Sequence, residues 1–302
     1  MQGMQYYELV MVLQWLLLSY STLALSSGRP PPQPLRQTAA DKKFDLWCDE
    51  NGIVRVGVQT ITTSKSLGGR GLFAVKPLRR GSVVASIPAE LVICASSASN
   101  QEWQVSLTNE VISQKDENEW IQSWERSEAL NFSALLVTDD ADVLEYVNSI
   151  VGQGRITRSG AEKDVKLRMG NFNRRFGQSL SSGAPREEIA EWYTLVMSRS
   201  SYLGKEWDYR SGIVPFFDML NHCHESELAN TDLVTFGSCL DRQSEDAKER
   251  NQSTGLLGTK DMLLVLTRDV CEGQELLTQY YTEIDDEETQ LKLWIQYGIP
   301  PP

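Results

Sequence analysis

The sequence predicts an α+β fold in which two β-rich blocks enclose a helical one. Short apolar or alternating runs, broken by Gly and Pro, fill residues 53–88 and return after Gly212. Between them the texture changes: residues 100–203 mix Trp, Leu and Val with many acids, and the clearest helical periodicity falls there. Because this block interrupts the β-rich ones, it reads as an insertion within one domain. A chain of 302 residues suffices for one large core carrying such an insertion.

The folded region is expected over 44–300, starting near Phe44. Apolar residues at 54, 56 and 58 predict a half-buried strand from Ile53 to Val58. Gly68-Gly69-Arg70-Gly71 is a turn, followed by a strand from Leu72 to Val75. Pro77 and Gly81 bracket the next turn, and Val83–Ile87 is a strand that Pro88 ends. A helix is expected over about Ala141–Ile150 and a stronger one from Pro185 to about Tyr202. In the latter, Pro185 suits the first turn, Glu187 and Glu188 suit the positive end of the dipole, and Ile189, Trp192, Tyr193, Val196, Met197 and Ser200 share a face. Asp241–Asn251 reads as a charged surface segment. Met262–Thr267 and Glu275–Tyr280 read as a β-hairpin turning at Glu272-Gly273. The last helix is expected over Glu287–Tyr297, with Asp285 or Asp286 as cap and Gly298 and Pro300 as stop signals.

Residues 1–40 differ in kind. Leu9–Leu25 is a 17-residue stretch without a charge, followed by Ser26-Ser27-Gly28 and the Pro-rich run Pro30–Pro34. It reads as a targeting h-region with a processing site and linker, although Glu8 stands where a basic n-region is expected. A retained signal anchor is the alternative, and membrane contact is expected only in that case. The address implied is an organelle, a plastid among them, or the secretory pathway, and otherwise the cytoplasm. In secretory entry the sequons at Asn131 and Asn251 become glycosylation acceptors.

A net charge of -12 argues against a nucleic-acid partner and is compatible with a basic protein one. The five cysteines, at 48, 94, 223, 239 and 271, show no paired metal-ligand spacing and no dense disulfide framework.

Three stretches carry candidate chemistry. Gly69-Arg70-Gly71-Leu72-Phe73-Ala74 lets backbone approach a ligand closely, or is only a tight hairpin. It lacks the third glycine of a dinucleotide fingerprint and the Gly-Lys-Ser/Thr of a P-loop. Pro215-Phe216-Phe217-Asp218-Met219-Leu220-Asn221-His222 ends an apolar run in an amide and an imidazole. His222 and His224 are the only histidines; no ligand pattern completes a zinc site, so no metal is expected. Asp218 with His222 raises a hydrolytic reading, but no Gly-x-Ser-x-Gly elbow accompanies them. Gly273-Gln274-Glu275-Leu276-Leu277-Thr278-Gln279-Tyr280 is a strand ending in a phenol that serves either a pocket or a core.

Together and in this order, with Val196-Met197-Ser198-Arg199-Ser200 between the first and second, these stretches resemble the SET-domain methyltransferases. The class is that typified by the plant Rubisco large-subunit lysine methyltransferase and the actin-histidine methyltransferase. The resemblance covers roughly residues 45–300 and includes the helical insertion. It implies a pseudoknot-like core in which the Asn-His segment meets the tyrosine strand. It also implies S-adenosyl-L-methionine as cosubstrate and a protein substrate, with methyl transfer to lysine of a non-histone protein. Histidine methylation and a catalytically inactive protein-binding module are the alternatives. On the family pattern Arg70, Gly71 and Leu72 line the cofactor through their backbone. Arg199 meets its carboxylate, Asn221 and His222 hold its methionyl and adenosyl parts, and Tyr280 is both a cofactor-binding residue and the catalytic one, orienting the sulfonium methyl at the transfer channel.

Two departures accompany the resemblance. The class usually continues into a helical C-terminal substrate-binding domain, whereas this sequence ends at Pro302. Tyr281 stands where glycine commonly follows the tyrosine.

Overall fold

The computed structural model describes residues 36–63, 70–96, 103–124, 136–137, 140–152, 154–177, 183–204, 207–235, 261–280 and 286–297. Leu9–Leu25, the Pro-rich run, both sequons, Gly68, Gly69, Asp241–Asn251, Tyr281, Asp285, Gly298 and Pro300 lie outside these residues. Gln37–Pro302 is one compact unit.

A capping box opens the described fold. The Thr38 hydroxyl accepts from the Asp41 amide, and the Asp41 carboxylate accepts from the Thr38 amide, which starts helix α1 (Ala39–Glu50). This helix begins ahead of Phe44, at which the folded region is expected to start, and includes it. It buries Asp41, Phe44, Asp45 and Cys48.

Gly57, at φ +71°, divides the strand expected over Ile53–Val58 into two. Strand β1 (Val54–Arg55) joins one sheet and β2 (Val58–Thr62) another, so Val54 is 47% exposed while Val58 is 4% exposed. Strands β3 (Arg70–Ala74) and β4 (Val83–Ile87) follow, then β5 (Ile93–Cys94). After the helical block come β6 (Ser201–Tyr202), β7 (Ser211–Ile213), β8 (Asn221–His222), β9 (Thr231–Thr235), β10 (Met262–Leu266) and β11 (Glu275–Thr278). They form three sheets, ordered β1-β4-β10-β9, β2-β3-β11-β8 and β5-β7-β6.

The expected hairpin of β10 and β11 does not form. A strand has two hydrogen-bonding edges. Those of β10 are taken by β4 and β9, and those of β11 by β3 and β8. The turn at Gly273, φ +78°, instead passes the chain from one sheet to the other, and the Gly273 amide bonds the Ala74 carbonyl at 2.8 Å.

The helical block holds α2 (Trp103–Gln114), α3 (Glu119–Gln122), α4 (Asp140–Ile150), α5 (Arg158–Phe176) and α6 (Arg186–Arg199). Helix α6 has Pro185 as its N-cap and stops at Arg199, because Ser200 turns extended and Ser201 pairs with Gly212. Its apolar stripe is buried at Ile189, Trp192, Tyr193 and Val196. The last helix, α7 (Glu287–Tyr297), ties back to this block: Glu287 accepts from the Thr157 amide at 2.7 Å, and Gln290 from the Arg155 amide at 2.7 Å. One continuous core runs through sheets and helices, including Phe44, Leu72, Ile87, Trp120, Phe172, Leu195, Phe216, Leu276 and Leu291. Among the described residues the helical block therefore has no separate core of its own.

Candidate active site

The site is built where β8 lies parallel to β11, with Asn221 opposite Leu277 and His222 opposite Thr278. The crossing is braced by Asn230, 1% exposed, which donates to the Glu275 carbonyl and accepts from the Leu277 amide at 2.9 Å each. Just beyond the strand, the Tyr280 hydroxyl donates to the Leu220 carbonyl at 2.7 Å. The Tyr280 amide donates to His222 Nδ1 at 3.1 Å. Burial pushes the phenol up to about 12, with Arg199 opposing and Asp218 adding to the rise, so Tyr280 stays a neutral phenol at ordinary pH.

Since His222 Nδ1 accepts from an amide, the neutral imidazole carries its proton on Nε2. Burial, with His224 adding to it, lowers the imidazole to about 4 and keeps it neutral. The Nε2 atom is buried without a hydrogen-bond partner. The His222 and His224 rings stand edge to face, 5.1 Å apart. Among the described residues no group of three or more His, Cys, Asp or Glu side chains is placed to hold a metal ion.

Strand β3 reaches the same place from the other side. Asn221 Nδ2 donates to the Arg70 carbonyl at 3.2 Å and to Glu275 Oε1 at 2.6 Å. Between them is Gly71, where a Cβ would lie 2.9 Å from Asn221 Nδ2 and 2.5 Å from Glu275 Oε1. Glycine is required there by close approach rather than by backbone angle. Burial raises the Glu275 carboxyl above its ordinary range, and the Asn221 hydrogen bond only partly offsets this. Leu72 is placed differently. Its side chain is fully buried and flanked by Thr60 and Leu276 on the neighbouring strands, so any contact with a ligand would run through its backbone.

The end of α6 supplies Arg199. Its Nη1 donates to the Asp218 carbonyl and to Asp218 Oδ2, both at 3.2 Å, and its guanidinium lies 5.1 Å over the Trp124 ring. Asp218 is wholly buried and also accepts from Trp120 Nε1 at 3.2 Å. Burial raises its carboxyl despite Arg199 beside it. Asp218 Oδ1 and Arg199 Nε are buried without hydrogen-bond partners. The hydrolytic pairing of Asp218 with His222 is absent, because Asp218 turns to Arg199 and Trp120 while His222 turns to Tyr280. The 3-10 turn bearing Asp218, Phe217–Met219, is entered through Phe216 at φ 69° and ψ -44°. That left-handed angle in a buried aromatic residue is local backbone strain next to the site.

The structure thus brings together Arg70, Gly71, Asn221, His222 and Tyr280, with Arg199 adjoining through Asp218. Sequence reasoning missed Asp218 as the partner of Arg199, Glu275 as the partner of Asn221, and the Leu220 carbonyl. Glu275 and Asp218 lie within the quoted stretches; Asp218, flanked by Phe217 and Met219, carried the signal of an acid in an apolar run, whereas Glu275, preceded by Gln274, carried none.

The SET-domain family model matches residues 69–281. No curated protein matches the sequence. The fold is similar to a solved structure of the SET domain of LSMT bound to lysine and AdoHcy. The TM-score is 0.54 at 16% identity, over 86% of this chain and 57% of that one. It is also similar to Rubisco LSMT bound to sinefungin and monomethyllysine, with TM-score 0.53, 16% identity, and 88% and 57% covered. A third is Rubisco LSMT bound to AdoMet, with TM-score 0.54, 14% identity, and 88% and 57% covered. The chain therefore spans 57% of the length of these solved structures. With more than two thirds of its residues matched by the family model, this α+β chain belongs to the SET-domain family.

Proposed function

We propose that the chain is an S-adenosylmethionine-dependent protein N-methyltransferase whose acceptor is a lysine of a non-histone protein. The observation that carries this reading is the Tyr280 phenol, half-buried, neutral and tied through Leu220 and His222 to the strand that bears Asn221. SET domains of similar fold bound to AdoMet, AdoHcy, lysine and methyllysine support it.

The residues fit such a cosubstrate. His222 Nε2 and Arg199 Nε are buried donors without partners, and Gly71 is a glycine whose Cβ would collide with Asn221. Arg199 would hold the carboxylate through a planar charged fork, and Asn221, His222 and the backbone at Arg70 and Gly71 would hold the rest. The cosubstrate supplies a methyl group already activated on a sulfonium. Little covalent work is then asked of the protein, and positioning dominates. The Tyr280 hydroxyl donates a hydrogen bond to the Leu220 carbonyl and burial keeps it protonated at ordinary pH, so it orients the incoming nitrogen rather than removing a proton from it. Burial around it favours the neutral amine that a lysine must present.

The test is incubation of the full chain with S-adenosylmethionine bearing an isotopically labelled methyl and with fractionated proteins, followed by peptide mass spectrometry. The expected result is label on lysine Nζ, lost with Tyr280→Phe. Label on histidine overturns the acceptor assignment, and no label beside demonstrable cofactor binding overturns the enzyme reading.

A further inference from the structure

Helix α1 and strand β2 lie outside residues 69–281 that match the family model, yet they reach into the site. The Asp41 carboxylate, 0% exposed, takes hydrogen bonds from five donors. Oδ2 accepts from the Thr38 amide at 2.8 Å, the Thr38 hydroxyl at 2.8 Å and the Thr62 amide at 3.0 Å. Oδ1 accepts from the Thr62 hydroxyl at 2.7 Å and from Arg70 Nε at 3.2 Å. One buried anion thus holds the start of α1, the end of β2 and the start of β3. Arg70 carries the link onward, as its Nη1 donates to the Ser123 carbonyl at 3.0 Å while its own carbonyl receives Asn221 Nδ2 at 3.2 Å.

A second contact runs in parallel. Trp47 of α1 stacks on Trp120, Trp120 meets Trp124 edge to face, and Trp124 lies under the Arg199 guanidinium. Helix α1 therefore touches both halves of the site: Arg70 with Asn221 through Asp41, and Arg199 through the tryptophans. The Thr62 and Arg70 bonds of Asp41 and the tryptophan contacts are not needed to start the helix, because the capping box uses only Thr38 and Asp41.

We infer that Asp41 is a positioning residue for the cofactor site, acting through Arg70 to set the carbonyl that orients Asn221. The inference rests on the methyltransferase reading for its ligand, but its geometry does not depend on that ligand. Loss of a buried acceptor at this junction is expected to loosen β3 locally, at Arg70–Leu72, and to leave the remote strand β10 intact.

The test uses Asp41→Asn and Arg70→Met in the full chain, the second removing the same ion pair while leaving the Thr38 and Thr62 bonds of Asp41 in place. Two readouts are taken: S-adenosylmethionine affinity by calorimetry, and amide hydrogen exchange without ligand. Each variant is expected to weaken binding roughly tenfold and to speed exchange at Arg70–Leu72 without changing it at Leu263–Val265. The double variant should be no worse than either single one. If Asp41→Asn does not fold, Arg70→Met carries the test on its own. Unchanged affinity in a folded variant with only a lowered Tm overturns the inference and leaves Asp41 a structural residue. Additive losses in the double variant overturn the route through Arg70. If the folded wild-type chain binds no S-adenosylmethionine, the methyltransferase reading falls, and local against uniform exchange decides the inference alone.

Discussion

The amide of Tyr280 donates to Nδ1 of His222 at 3.1 Å, and the two rings lie 5.0 Å apart at 37°. With the Tyr280 hydroxyl on the Leu220 carbonyl, both ends of the tyrosine are held by one short stretch, Leu220–His222, that leads into and includes the crossing strand. The imidazole thereby becomes a part of the framework, and its remaining nitrogen faces inward as a donor.

This arrangement makes stability depend on pH through His222. Its folded value falls from 6.5 to about 4, so the unfolded chain binds the proton more tightly. The contribution of the neutral imidazole is complete above pH 6.5 and is lost as pH falls from there toward 4. Urea denaturation across that range should show a steeper loss for the wild type than for His222→Ala. Parallel curves would show that the ring is not held neutral.

Tyr280→Phe keeps the ring and removes only the hydroxyl, leaving the Leu220 carbonyl without this donor. Stability should fall by about 1 kcal/mol. The methyl-transfer kcat should fall on the order of a hundredfold, with cofactor affinity nearly unchanged, since the hydroxyl is assigned to orienting the acceptor. Steady-state kinetics beside calorimetry separate the two effects.

Asp218→Ala should be the most damaging to stability, at about 3 kcal/mol. It strands a largely buried guanidinium and also removes the acceptor of Trp120. Asp218→Asn should be milder, because burial already disfavours the ionised carboxyl. Denaturation monitored by tryptophan fluorescence checks the order, and Asn equal to Ala would contradict it.

Gly71→Ala places a methyl against the pair formed by Asn221 and Glu275. Overpacking there should cost about 1–3 kcal/mol and weaken cofactor binding, while Gly170→Ala, with open space around its Cβ, should do neither. Calorimetry and thermal melts on the two variants make the comparison.

Much of the candidate site was legible as a cluster because its proposed members sit in short stretches that the fold brings together. Asn221 with His222, Arg199 and Tyr280 are of this kind. What was not legible concerns partners distant in the chain. Asp218 meets Trp120 across 98 residues, Asn221 meets Glu275 across 54, and Arg70 meets Asp41 across 29. Periodicity reports which face of a strand is buried and not which edge is paired. Hence β10 and β11 were each found, but their pairing was misassigned. The division of the first strand at Gly57 was hidden for a related reason. Apolar residues on both sides of a positive-φ glycine look like one alternating run. The left-handed angle at Phe216 has no side-chain signature at all.

The most direct measurement is calorimetric titration of S-adenosylmethionine into the full chain and into Asn221→Ala. One molecule should bind to the wild type, and the substitution should weaken binding at least about tenfold, since Asn221 joins the Arg70 carbonyl to Glu275 at the centre of the crossing. A folded wild-type chain that takes up no cofactor, or an Asn221→Ala variant that binds it as tightly as the wild type, would contradict the account.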